Sequence, residues 1–173
     1  TTSGQEMWVS DGTPSGTFML ADAITGTGFG NPQFPVDVNG TIMYRCSSDV
    51  AGAELWKSNG TVSGTQIVKD IFPGLSSSAP GSLSEVGSLL YFSANNGSNG
   101  SELWRSDGTA GGTYLVKNIH PVTGSDPVYI RDIGGGAFLF SADDGFNGRQ
   151  VWISNGSGSG TQLLKLINTG TKH

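Results

Sequence analysis

Apolar and polar residues alternate along this chain in runs too short for a helix, and each run ends in a glycine-containing turn. In Glu54-Leu-Trp-Lys-Ser58 the alternation has the period of two that a strand requires. Asn59-Gly60 follows at once, a strong hairpin signal because Gly takes positive φ without steric conflict and Asn tolerates it. Gly64 reads as a second permissive site before the return run Thr65–Ile71, in which alternation puts Ile67 and Ile71 on one face and Val68 on the other. The segment thus predicts a strand, a tight hairpin and a second strand.

The same segment is written four times. Glu6–Thr17, Glu54–Thr65, Glu102–Thr113 and Gln150–Thr161 start at 6, 54, 102 and 150, a constant spacing of 48. The turn pairs are Asp11-Gly12, Asn59-Gly60, Asp107-Gly108 and Asn155-Gly156. Short Asp and Asn side chains can accept from backbone N–H groups two residues on, and Ser10, Ser58, Ser106 and Ser154 can do so more weakly. The Ile67 position is Met19, Leu115 and Leu163 elsewhere, and the Val68 position is Leu20, Val116 and Leu164.

The rest of each repeat holds two further short runs, Phe34–Val38 with Thr41–Cys46, Ser82–Val86 with Leu89–Ala94, and Val128–Ile133 with Ala137–Ala142. Four strands with three short links and one long one, repeated at ~40–50 residues, predict an all-β chain of β-propeller-type four-stranded antiparallel blades. A β-helix is the runner-up, but its rungs are usually shorter. The chain reads as a single repeat domain over 1–173, with a half-blade at 6–24 and blades at 32–71, 80–119 and 127–167, about three and a half blades. Closed propellers need roughly 4–8 blades. The tail Asn168–His173 is too short for another pair of strands, so further blades are expected from a longer parent chain or from other copies. Trp8, Trp56, Trp104 and Trp152 recur at one strand position and are expected to be buried between sheets.

The motif resembles the ELWxxDGT repeat family of large secreted or surface bacterial proteins, and its Ser-Asp-Gly-Thr turn is similar to the Asp-box hairpin of several propellers. The resemblance covers nearly the whole chain. It departs at Asn59 and Asn155, which replace the turn Asp, and at Gln150-Val151, which replaces Glu-Leu. It implies a propeller-like fold and an extracellular or cell-surface location, without a defined activity.

Composition narrows the function classes. The 173 residues include 28 Gly and only 13% charged residues, which suits short strands and tight turns. A net charge of −5 argues against nucleic-acid or anionic-membrane partners, and no apolar run is long enough for a membrane helix. No signal peptide is visible, so the chain reads as mature or as an excised segment. Only His120 and His173 are present, which disfavours a multi-His metal site or a Ser-His-Asp triad, and Cys46, the one cysteine, reads as a small buried residue.

Candidate chemistry falls on few residues. Glu6, Glu54 and Glu102 stand at the same position in three of the four copies and read as structural, whereas catalytic carboxylate pairs are normally asymmetric. Asp37, Glu85 and Asp132, near the first strand where a propeller channel would be lined, and His120 in an inter-blade loop are the candidate ligand-binding residues. Asp143, Asp144 and Asn147 form a Gly-rich oxygen cluster that could take Ca²⁺, or simply a solvated turn. The Asn-x-Ser/Thr triplets at Asn39, Asn59, Asn96, Asn99 and Asn155 are all Asn-Gly turns. The expected function is a non-catalytic extracellular binding module for glycan or protein ligands. The alternatives are a structural or assembly repeat of a large surface protein and, more distantly, a glycoside hydrolase-like propeller. No cofactor beyond that Ca²⁺ is implied.

Overall fold

The structure, a computed structural model, describes residues 4–167; the first residues of the lead-in and the tail from Asn168, with His173, lie outside the described residues. The described chain is all β. Its strands are β1 (Met7–Val9), β2 (Phe18–Ala21), β3 (Gln33–Val38), β4 (Thr41–Ser48), β5 (Gly52–Ser58), β6 (Gln66–Lys69), β7 (Gly81–Val86), β8 (Leu89–Asn95), β9 (Ser101–Ser106), β10 (Tyr114–Lys117), β11 (Val128–Gly134), β12 (Ala137–Asp143), β13 (Arg149–Ser154) and β14 (Gln162–Lys165). They form a two-stranded sheet, β1-β2, and three four-stranded antiparallel sheets in sequence order, β3 to β6, β7 to β10 and β11 to β14. The first strands of consecutive sheets lie side by side, β3 against β7 and β7 against β11.

Three apolar layers hold the sheets face to face. Met7, Ala21 and Ala23 pack on Tyr44, Cys46 and Trp56 of the second sheet. The other face of that sheet gives Met43, Leu55, Val68 and Ile71 to Phe92, Ala94 and Trp104 of the third. The third sheet gives Tyr91, Leu103, Val116 and Ile119 to Phe138, Phe140 and Trp152 of the fourth. Trp56, Trp104 and Trp152 each point at the sheet before their own, paired across the strand with Ile67, Leu115 and Leu163.

Trp56, Trp104 and Trp152 are buried, but Trp8 is 51% exposed, against the expectation for all four. The cause is positional: Trp8 faces the side where a preceding sheet would lie, and the described residues place none there. A second correction concerns Ile71. Alternation put it with Ile67, yet Ile67 joins the layer before its sheet and Ile71 joins Val68 in the layer after it. The strand ends at Lys69, and the N–H of Ile71 donates to the Glu54 side chain (3.1 Å) instead of continuing the ladder, so parity is lost.

The four hairpin turns repeat atom for atom. Oδ1 of Asp11, Asn59, Asp107 and Asn155 accepts from the backbone N–H and the hydroxyl of the residue two on, at 2.7–3.1 Å. The preceding Ser hydroxyl pairs with that of the closing Thr, Ser58 with Thr65 at 2.7 Å for example. Gly12, Gly60, Gly108 and Gly156 all have φ between 83° and 91°. The second Gly differs from its sequence reading. Gly64 does not have positive φ; a Cβ there would overlap the Asn59 side chain, so it is small because the Asx turn packs on it.

Two outcomes should separate these roles in urea unfolding. Trp56→Ala should cost about 3–5 kcal/mol, as for other large core truncations, while Trp8→Ala should stay below about 1 kcal/mol. Gly60→Val should cost more than about 1 kcal/mol through its φ, with Asn59→Asp near neutral. Unchanged midpoints for Trp56→Ala or Gly60→Val would contradict the packing or the turn.

Candidate functional site

The most conspicuous polar groups in the interior are the repeated glutamates. Glu54 and Glu102 are wholly buried and Glu6 nearly so, each on the third strand of its repeat or just before it. A buried carboxylate needs donors, and the long inter-sheet connection supplies them. Glu54 accepts from the N–H groups of Ile71 (3.1 Å), Phe72 (3.3 Å) and Ser78 (2.9 Å), and from the Ser78 hydroxyl. Glu102 repeats the set with Ile119, His120 and Ser125, including a 2.5 Å bond from the Ser125 hydroxyl. Glu6 takes the N–H groups of Ala23 and Gly30. Gln150 accepts from Ile167 N–H (3.1 Å) and donates to the Asn147 carbonyl.

The carbonyl of the residue pinned in this way receives the next sheet. Ser78 O accepts from Asn95 N–H (2.9 Å), Ser125 O from Asp143 N–H (3.0 Å) and Gly30 O from Ser47 N–H (2.8 Å). Where the pinned residue is Gly30, the second strand carries Cys46 in place of Ala94 or Ala142, and a Cβ on Gly30 would crowd Cys46 Sγ. The thiol fills the space that serine occupies in the other copies. It donates to Gly30 O at 3.2 Å, and burial, with Glu6 nearby, pushes its pKa up to about 12.

Burial drives the Glu54 and Glu102 carboxyls above their ordinary value, and the hydrogen bonds they accept offset this only in part. These groups tie loops rather than face a cleft.

The sequence-predicted site residues fall into separate places. Asp37, Glu85 and Asp132 are exposed on the adjacent first strands β3, β7 and β11. Asp37 Oδ1 accepts from Gly40 N–H and Asp132 Oδ1 from Gly134 N–H, both at 2.7 Å, so two of the three brace the hairpin that follows. His120 lies apart from them, after β10. Its Nδ1 accepts from the N–H groups of Val122 (3.1 Å) and Thr123 (3.0 Å), and its ring packs on Gly145 as Phe72 packs on Gly97 one repeat earlier.

In the loop proposed for Ca²⁺, Asp143 Oδ1 accepts from Gly145 N–H, and Asp144 Oδ1 from Phe146 and Asn147 N–H. Asn95 and Asn96 make the same bonds to Gly97, Ser98 and Asn99, so the fold of this loop needs no charge. Burial opposes ionisation of Asp144, but bonds from Asn147 and Phe146 prevail and hold its carboxyl below the ordinary value. Among the described residues no group of three or more His, Cys, Asp or Glu side chains is placed to hold a metal ion.

Two features escaped the sequence reading. Lys69 Nζ donates to Thr113 O and Lys117 Nζ to Thr161 O, both at 2.7 Å, joining each sheet to the turn of the next; Lys57 Nζ reaches Gly108 O at 2.8 Å. Recurrence of Lys at 69, 117 and 165 was the available signal. The second feature lies on the first strands, where Phe34, Ser82 and Tyr129 have φ of 57°, 52° and 58° at a β-bulge in each sheet. Phe34 is 52% and Tyr129 75% exposed.

Comparison of the sequence with family models finds no match, and comparison with curated proteins finds none either.

Replacing Glu54 by Ala strands three loop N–H groups, two of them on buried residues, and should cost more than about 3 kcal/mol; Glu54→Gln, which Gln150 imitates, should cost less. The raised carboxyls also fix a pH dependence. Between the raised folded value and the ordinary 4.5, the folded chain holds protons that the unfolded chain has released. Their contribution to stability is therefore full below pH 4.5 and is lost as pH rises through the folded value. Urea midpoints measured from pH 7 downwards should show wild type gaining on the Glu54→Gln, Glu102→Gln double variant. A constant difference would contradict the burial argument.

Proposed function

We propose that this chain is a non-catalytic extracellular binding module that takes a glycan on the exposed aromatic side chains of its first strands. The observation that carries this reading is the pair Phe34 and Tyr129. A bulky residue with φ near +57° is strained by about 1–3 kcal/mol, and strain of this kind gathers at functional sites. The bulge itself explains the left-handed backbone, but Ser82 forms it in the middle sheet without an aromatic. The rings at 34 and 129 therefore add strain and exposed apolar area and gain little packing within the chain. Exposed rings suit the apolar faces of sugars, and Asp37 and Asp132, exposed three residues further along the same strands, offer acceptors for their hydroxyls.

The wider frame is a β-propeller. Support comes from the 48-residue period, the four-stranded meanders and the adjacency of β3, β7 and β11, which would be the innermost strands. The resemblance to the ELWxxDGT repeat supports a secreted or surface setting. Against a glycosidase-like reading stands the chemistry of Glu54 and Glu102, whose oxygens are already occupied by loop donors.

The test combines binding with stability. Wild type should retain a subset of glycans on an array, and Phe34→Gly or Tyr129→Gly should weaken that binding by about tenfold. The same variants should unfold at or above the wild-type urea midpoint, because glycine relieves the strain. An array at background for wild type, or binding that survives the double variant, would overturn the reading.

A further inference from the structure

We propose that Asn39, at the tip of the β3–β4 hairpin, is the acceptor of an N-linked glycan joined through its side-chain amide. This glycan is covalent, so the proposal goes beyond the binding reading above and shares with it only the extracellular setting. The chain writes five Asn-x-Ser/Thr triplets, at Asn39, Asn59, Asn96, Asn99 and Asn155, each with Gly in the middle. A triplet serves as acceptor only where its amide and its hydroxyl are open to a transferase. The structure separates one of the five from the rest.

In four triplets the amide already has a task. Asn59 Oδ1 accepts from the N–H (3.1 Å) and the hydroxyl (2.7 Å) of Thr61, and Asn155 Oδ1 accepts from Ser157 at the same distances. Acceptor and hydroxyl of these triplets are thus bonded to each other. Asn96 Oδ1 takes the N–H groups of Ser98 and Asn99, and its Nδ2 donates to Asn99 Oδ1 at 2.9 Å. Two more amides are held together in that way, both half-buried.

Asn39 stands apart. It is exposed, and among the described residues neither its amide nor the Thr41 hydroxyl has a hydrogen-bond partner. Another side chain braces the turn instead: Asp37 Oδ1 accepts from Gly40 N–H at 2.7 Å. The backbone gives a partial reason for Asn, whose φ here is 52°. Yet Gly87 and Gly135 hold this position in the other two hairpins, with φ of 61° and 65°. Glycine meets the need of the turn, and Asn adds an amide that the turn does not use. Thr41 is no more required by the fold. Leu89 and Ala137 stand in its place in the other sheets, and Leu89 packs against the apolar layer there.

The donor would be an oligosaccharide carried on a lipid diphosphate. Asn39 Nδ2 forms a bond to C1 of the first sugar and gives up one proton. The bond from C1 to the phosphate oxygen breaks, and its electron pair leaves with the lipid diphosphate.

The experiment offers the folded chain to an oligosaccharyltransferase that requires only the triplet, together with a lipid diphosphate-linked oligosaccharide. Intact mass and tryptic peptides are read. Short peptides spanning the triplets run alongside and should all accept. The folded chain should gain a single glycan, on the tryptic peptide of residues 1–45, whose one triplet is that of Asn39. Asn39→Gly and Thr41→Ala should abolish the gain, and Thr41→Ser should keep it. Asn39→Gly should unfold at or above the wild-type urea midpoint, because glycine suits the φ, so its loss of transfer is not loss of the fold. Transfer is read without the glycan array, so failure of one reading is seen apart from failure of the other. A folded chain that gains no glycan, one modified elsewhere as readily as at Asn39, transfer that survives Asn39→Gly, or peptides that already show the same choice would each overturn the proposal.

Discussion

A buried carboxylate joined to a loop is the interaction on which the rest of this structure depends. Glu54 gathers the N–H groups of Ile71, Phe72 and Ser78, and Ser78 then gives its carbonyl to Asn95 on the following sheet. One side chain therefore ends a strand, folds the connection back and sets where the next sheet begins. A backbone loop in that position would otherwise carry unsatisfied polar groups in the interior, at about 1–3 kcal/mol each. The arrangement recurs in full at Glu102 and with two of its backbone donors, Ala23 and Gly30, at Glu6, so each connection is folded back by the same device.

The packing between sheets follows from that offset and is directional. The two middle sheets, β3 to β6 and β7 to β10, each turn a tryptophan face to the sheet before and an aliphatic face with a lysine to the sheet after. The lysine bond to a turn carbonyl is possible only because the turn is rigid: the Asx acceptor and the Ser–Thr hydroxyl pair hold the peptide oxygens of Thr113 and Thr161 in place. Turn chemistry and sheet stacking are thus one device. A directional device of this kind has no natural end, since every sheet that completes one interface presents the next.

Much of this was legible in the residues. The period of 48, the Asx-Gly turns and the alternation around each Trp marked the strands within a residue or two, because these signals are local. The Trp8 exposure was not legible, since burial depends on a neighbouring sheet and not on the strand that bears the ring. Alternation places Ile71 on the face opposite to the one it occupies, because a side-chain acceptor seventeen residues away interrupts the strand. Gly64 reads in the sequence as a backbone requirement, whereas its smallness answers the side chain of Asn59. The structural role of the glutamates was readable from their recurrence; their partners, spread through a long loop of varied sequence, were not. Of the candidate site, position near the first strand singles out Asp37, Glu85 and Asp132, but φ near +57° at Phe34 and Tyr129 leaves no mark in a sequence that writes Ser82 at the equivalent bulge.

In a repeat chain the copies act as controls for one another. Where all copies make the same bonds with the same or equivalent atoms, a structural cause is sufficient, as at the turns, the glutamates and the loop in which Asn95-Asn96 stands for Asp143-Asp144. His120 is absorbed in the same way once Phe72 is seen to occupy its place. What survives this subtraction in the candidate site is small: two exposed aromatic rings at the first-strand bulges, where serine suffices in the middle sheet. A departure from the repeat in chemistry, made where the repeat itself shows that the backbone does not need it, points to a ligand unlike the protein.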